Sequence, residues 1–281
     1  MKERRMSLST RTLLIAVAVT ATLAACQRRD EKPAAPPAAP DKAPAAAAAS
    51  TTPTAYDSKN QYATVKLALP AGVTDKPELQ GPLYADAVRE LNQFTEGAQA
   101  DLSEAGAGPN PYEKSITYSQ GGESGKLFSL ARTNFEYTGG AHPNQTYAAV
   151  IWDKGLKKRI GFNDLFRPGA DLSVLDKALC DAANAAKQAR SPGSERVGVG
   201  GKGMWSCPKA SATPFVLTSG STPGKVGGIT FLFDSYQIGP HSDGDYWLAV
   251  PQAAFRSLLA PAYADEFAGA PVKAGDVTPK N

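Results

Sequence analysis

Histidine is nearly missing from this chain: only His142 and His241 occur in 281 residues. No H-x-H, H-x-x-x-H or H-x-x-E spacing accompanies them, so no local metal-ligand pattern is present. Cysteine is scarce as well, with three residues, and no histidine lies between Cys180 and Cys207 to complete a zinc site. A long apolar run is also absent. The run that begins at Leu13 is too short, and wrongly flanked, for a stable membrane span. Excess charge of one sign disappears once the first 25 residues are set apart. They hold four of the 30 basic residues and one of the 27 acidic ones, leaving 26 of each. A neutral remainder argues against nucleic-acid binding, which needs a basic stripe.

Those first 25 residues have a different logic. Lys2, Arg4, Arg5 and Arg11 precede the apolar run, which ends in small residues at Leu23-Ala24-Ala25-Cys26. This order predicts a secretory signal. Its end resembles a bacterial lipobox, which implies lipidation of Cys26, for example with palmitate, and a membrane attachment through the N-terminal lipid. Gln27, rather than Asp, follows the cysteine, which points to the outer membrane, facing the periplasm. Residues 27–55 hold 6 Pro and 11 Ala, a composition expected to form an extended tether. Fully extended as polyproline II, it reaches roughly 90 Å.

In an exported protein, the two remaining cysteines, Cys180 and Cys207, predict a disulfide. Residues 56–267 carry the folding patterns. Alternation predicts strands at 62–69, 115–120, 126–137, 145–153, 156–160, 214–217, 228–238 and 245–250. A helix is predicted from Pro82 to about Ala100, carrying Leu83, Ala87, Val88, Leu91 and Phe94. Residues 106–111 read as a loop. Asp171 is read as the N-cap of a second helix carrying Leu172, Leu175, Leu179, Ala182, Ala183 and Ala186. A Gly/Ser-rich loop spans 191–203, and a third helix is expected from Pro251 through Leu259. Residues 268–281 are expected to be a disordered tail. Strands in meander order with three helices predict an α+β fold, an antiparallel sheet with helices packed on one face.

Two loops stand out. "TGGAHPN" places Gly139, Gly140, His142 and Asn144 after one predicted strand, and "YQIGPHSDG" places Tyr236, Gly239, Pro240, His241 and Asp243 after another. Glycine permits positive φ, and Pro143 biases His142 toward extended backbone. Both histidines thus fall in strand-end loops that could lie side by side. A His142–His241 metal site completed by Asp243 or Asp245 is conceivable on composition alone. The S-x-x-K at Ser206–Lys209 and the G-x-G-x-x-G at Gly198–Gly203 lack the structural context of their motifs.

The stretches "YTGGAHPNQTYAAVIWD…GLKKRIGFNDLF" and "GITFLFDSYQIGPHSDGDYWLAVP" resemble the DUF3298 domain, of the RsiV-like extracellular type. "YATVKLALP" with its following helix resembles the DUF4163 segment that precedes it. The resemblance divides the chain into a DUF4163-like part (56–115) and a DUF3298-like part (116–267), packed as one unit. It implies a non-catalytic, monomeric envelope module without a cofactor, binding a cell-wall component or a lysozyme-type muramidase. A metal-dependent hydrolase acting on wall components, and a structural tether without ligand, are the alternatives. The contact surface is expected at Gly139, Gly140, His142, Asn144, Tyr236, Gly239, Pro240, His241 and Asp243.

Overall fold

The computed structural model describes residues 51–105 and 111–280. The signal, Cys26, most of the tether and the 106–110 loop lie outside the described residues. Among the described residues, no helix is long and apolar enough to cross a membrane.

β1 (Ala55–Lys59) and β2 (Ala63–Ala68) form an antiparallel hairpin. Its turn is made by Asn60, whose Oδ1 accepts from the backbone N–H groups of Tyr62 and Ala63 at 2.9 and 2.8 Å. The fold therefore begins within the stretch read as tether. The Thr52 carbonyl already accepts from the buried Gln80 amide at 2.6 Å.

α1 (Pro77–Ala105) starts five residues before the predicted Pro82, which lies inside it. Its stripe Leu79, Leu83, Ala87, Leu91, Ala98 and Leu102 is buried, at the spacing of one helical face. A helix of this length carries the chain back before β3 (Tyr112–Glu123) begins. The β2–β3 pairing is consequently parallel, as a helical crossover permits. β4 (Leu127–Tyr137), β5 (Asn144–Asp153) and β6 (Lys158–Ile160) continue antiparallel, completing a six-stranded sheet in sequence order.

α2 (Ser173–Arg190) follows. Its N-cap position is Leu172, and Asp171 acts one residue earlier, accepting from the Ser173 N–H at 3.0 Å. A second sheet has the order β10-β9-β8-β7, from β7 (Phe215–Ser219), β8 (Val226–Phe233), β9 (Tyr246–Pro251) and β10 (Gly275–Asp276). The predicted helix after Pro251 is replaced by two 3-10 turns, Gln252–Ala254 and Arg256–Leu258, and by the four-residue α3 (Pro261–Ala264).

The fold is α+β, but the strands form two sheets, and the two long helices cover different ones. α1 packs with Val65, Leu67, Ile116, Phe128 and Leu130 on the first sheet. α2 packs with Ile229, Phe231, Phe233, Leu248 and Val250 on the second. The sheets meet through Leu127, Ile151 and Ile160, which join the second sheet's core, and through a smaller cluster of Ala131, Val216 and Leu232. Gly122 sits in a β3 bulge, where a Cβ would come within 2.8 Å of the Leu217 carbonyl, so glycine admits the second sheet here. The buried Ser129 hydroxyl stitches the junction. It donates to the Gly122 carbonyl at 2.9 Å and accepts from the Leu217 N–H at 3.1 Å.

Cys180 and Cys207 are joined, with Cα atoms 5.5 Å apart. Closing that loop contributes about 3 kcal/mol in a chain-entropy account. The loop it encloses is also pinned by Asn184, which donates to the Val197 carbonyl at 2.8 Å and accepts its N–H at 2.8 Å.

The tail is ordered rather than disordered. β10 pairs with β9, Val272 N–H donates to Ser219, and Val277 N–H donates to Trp247. Few of these contacts are apolar, which is why a hydrophobic pattern does not announce them.

Candidate functional site

β4 ends at Tyr137 and β5 begins at Asn144, so "TGGAHPN" closes a hairpin whose register the β4–β5 ladder sets. Only Gly139 takes positive φ, at 86°. His142 is exposed, and its Nδ1 lies 2.9 Å from the Pro143 carbonyl. A carbonyl only accepts, so Nδ1 carries the proton.

The second loop leaves β8 at Phe233. Tyr236, expected to continue the strand, stands outside it at φ 69°, 52 % exposed. The turn is tied by Asp234 and Gln237, with the Asp234 N–H donating to Gln237 Oε1 at 3.1 Å. A Cβ on Gly239 would fall 2.3 Å from Asp243 Oδ2, so glycine here lets the Asp243 side chain fold back against the loop. The nearly buried Lys187 of α2 donates to the Ile238 carbonyl and holds this loop from beneath.

The two loops meet. The imidazoles of His142 and His241 stack at 4.2 Å between centroids, 25° from parallel, and Tyr236 lies 5.2 Å from His241. His142, Pro143, Asn144, Tyr236, Pro240 and His241 thus share one exposed rim. Gly139 and Gly140 shape the first loop, whereas Gly239 is buried and acts through backbone geometry.

The conceivable metal cluster is not assembled. The rings lie face to face, and the Asp245 carboxylate is engaged elsewhere. Its Oδ2 accepts from Tyr147 Oη at 2.5 Å and Gln145 Nε2 at 2.7 Å, and its Oδ1 accepts from Ser235 Oγ at 2.6 Å. Among the described residues, no group of three or more His, Cys, Asp or Glu is placed to hold a metal ion.

Asp245 centres a polar network just inside the rim that sequence reading did not single out as a site. Burial, then the hydrogen bond to Asp245, pushes the Tyr147 phenol above its ordinary range. Asp234 accepts the Tyr147 N–H at 2.8 Å. Burial raises its carboxyl, the Tyr147 bond opposes that, and nearby Asp245 adds to the rise. The available signal was strand parity: Gln145 and Tyr147 follow Asn144 on alternate positions and so share a face.

Arg190, at the end of α2, braces the same region. It donates to the carbonyls of Asp243 and Asp245 at 2.9 and 2.7 Å, and to the Asp276 carboxylate at 2.7 and 3.0 Å. Its guanidinium lies 3.8 Å from the Tyr246 ring centroid. One side chain therefore joins α2, the second rim loop and the C-terminal segment.

No family model matches the chain, and no curated protein matches it. Among solved structures, a DUF3298 family protein from Pseudomonas aeruginosa PAO1 is similar, with a TM-score of 0.52 and 18% identity, over 76% of this chain and 94% of that one. A member of the same family from Bacteroides fragilis is similar at a TM-score of 0.46 and 18% identity, over 73% of this chain and 87% of that one. The first likeness shows the fold: this α+β architecture is the one found in a DUF3298 protein.

Proposed function

We propose that this chain is a non-catalytic envelope lipoprotein whose folded part binds a cell-wall component or a lysozyme-type muramidase through the rim of its two histidine loops. The observation that carries the reading is the His142–His241 stack. Two histidines 99 residues apart in sequence present their imidazoles together on one exposed surface. Tyr236 adds an exposed amphipathic ring beside them. Asp243 adds negative charge that would steer a basic partner. The resemblance of residues 56–115 to DUF4163 and of 116–267 to DUF3298 supports the same class. The lipobox-like end at Cys26 supports anchoring at the outer membrane. Incorporation of labelled palmitate, abolished by Cys26→Ala, checks the anchor.

Titration calorimetry on the mature chain carrying Cys26→Ser tests the recognition. Lysozyme or muropeptides are expected to bind, and His142→Ala with His241→Ala to weaken that binding by about tenfold or more. Absence of binding to both ligand classes, or full binding by the double variant, overturns the reading.

A further inference from the structure

Beneath the rim, the facing sheets diverge and leave a cleft of about 640 Å³. That is within the range of small-molecule sites, roughly 300–1,000 Å³. Its floor follows from strand register. Thr117 pairs with Thr133, and Thr133 with Tyr147, so their side chains form one cross-strand row turned toward the second sheet. Ser119 follows on the same face. Trp247 and Asp245 face this floor from the second sheet's side, and Thr278 and Lys280 line the cleft from the C-terminal segment.

Three properties restrict what fits. The first is unused hydrogen-bonding capacity. The hydroxyls of Thr117, Ser119 and Thr133 bond to no protein group among the described residues. The Trp247 indole N–H is not part of that capacity, since it is enclosed against the Tyr147 phenol. Asp245 is held rigid by three donors, and a carboxylate has about four acceptor sites. One remains for a ligand hydroxyl.

The second property is charge. Arg190 and Lys280 are matched by Asp245 and Asp276, and Arg190 is already paired with Asp276. An ionic ligand would find no net attraction. The third is shape: the rings of Tyr147 and Trp247 meet edge to face at 5.4 Å in the wall. They offer flat apolar surface beside polar groups. Phe135 and Tyr137 follow Thr133 on the same face of β4 and line a second, separate hollow with Pro143.

We infer that the cleft between the two sheets binds a neutral oligosaccharide, with Thr117, Thr133 and Asp245 bonding its hydroxyls and Tyr147 and Trp247 supporting its ring faces. This rests on the reading of the chain as a binding module, and adds a site separate from the histidine rim.

The test uses the mature chain with Cys26→Ser, N-acetylchitotriose and maltotriose as probes, and two readouts: calorimetry and the indole resonance of Trp247. The resonance is assigned by its loss in Trp247→Phe. At least one saccharide is expected to bind and shift that resonance. Thr117→Val with Thr133→Val removes hydroxyls that bond nothing in the protein, so folding should be unchanged. Saccharide affinity is expected to fall about tenfold, as for two lost hydrogen bonds. His142→Ala with His241→Ala is expected to retain it. Lack of any shift up to about 10 mM, a shift unaffected by the double valine variant, or saccharide binding abolished by the histidine variant overturns the inference. Failure here with lysozyme or muropeptide binding intact sinks the cleft alone; failure of every ligand sinks the broader reading with it.

Discussion

The interfaces between each helix and its sheet differ sharply from the one between the two sheets. The core around the second sheet and α2 buries 24 apolar residues, among them Leu127, Ile151 and Ile160 of the first sheet, and the core between the first sheet and α1 buries 16. A separate cluster between the sheets holds only three buried apolar residues, Ala131, Val216 and Leu232, so burial alone does not hold that part of the junction. Ser129, the β3 glycines and the Asp245 network reinforce it there. Where apolar packing stops, polar side chains line an open cleft. The junction thus passes from a shared apolar core to a thin, partly polar layer, and the candidate sites sit along the edge of that layer.

Adjacent residues on β8 make this contrast measurable. Phe231 points into the α2 core and Leu232 toward the first sheet, each fully buried. Phe231→Ala is expected to cost about 3–5 kcal/mol, and Leu232→Ala only about 2 kcal/mol, because a thin layer beside a cleft can close over the gap. Urea unfolding of both variants checks this; equal losses would remove the distinction between the layers.

Arg190→Ala should come next, at about 1–3 kcal/mol, since it removes charge-assisted bonds to the second rim loop and the C-terminal segment. Faster amide exchange confined to residues 272–278 and the 241–245 loop is the expected signature. Its pH dependence has a definite sign. Burial alone would raise the Asp276 carboxyl, but Arg190 and Thr278 hold it below the ordinary carboxylate range. A depressed folded value stabilises above the unfolded pKa, and that contribution is lost as pH falls through the folded value. The difference between wild type and Arg190→Ala should therefore shrink in strong acid. A difference that persists there would show that packing on Tyr246, rather than the ion pair, dominates.

The smallest effect is expected at the middle layer's second carboxyl. Asp234 is raised by burial and by Asp245, so its ionised form weakens the fold at neutral pH. Asp234→Asn keeps an acceptor for the Tyr147 N–H. It should raise the melting temperature at pH 7 by about one or two degrees. The advantage should vanish as pH falls through the raised value toward the ordinary one, where wild-type Asp234 also becomes neutral. Destabilisation at neutral pH would mean that the charge of Asp234 helps to hold the sheets.

Legibility in the sequence followed the range of the forces involved. Strands 126–137 and 145–153 were readable to within a residue or two of β4 and β5, because alternation is local. The Cys180–Cys207 bridge was readable because few partners existed. α1 was placed five residues late: Pro82 looked like a first-turn residue but sits inside the helix, and Pro77 opens it. The α3 region misled because Phe255, Leu258 and Leu259 have helical spacing, yet the chain there forms 3-10 turns. The adjacency of the histidine loops could be suspected from their shared position at strand ends. The Asp245 network could not, since Tyr147 and Asp245 are 98 residues apart, and strand parity puts Gln145 and Tyr147 on one face without saying that Asp245 lies opposite.

From the order of residues alone came an α+β chain with a helix before its long hairpins, one crosslink, and two glycine- and proline-shaped loops bearing the histidines. Periodicity, turn chemistry and composition act between near neighbours, so a linear reading captures them. The division into two sheets, the parallel β2–β3 pair, the ordered C-terminal segment and the cleft arose only in three dimensions. Each depends on which face meets which across many residues, and alternation names a strand's faces without naming what will cover them.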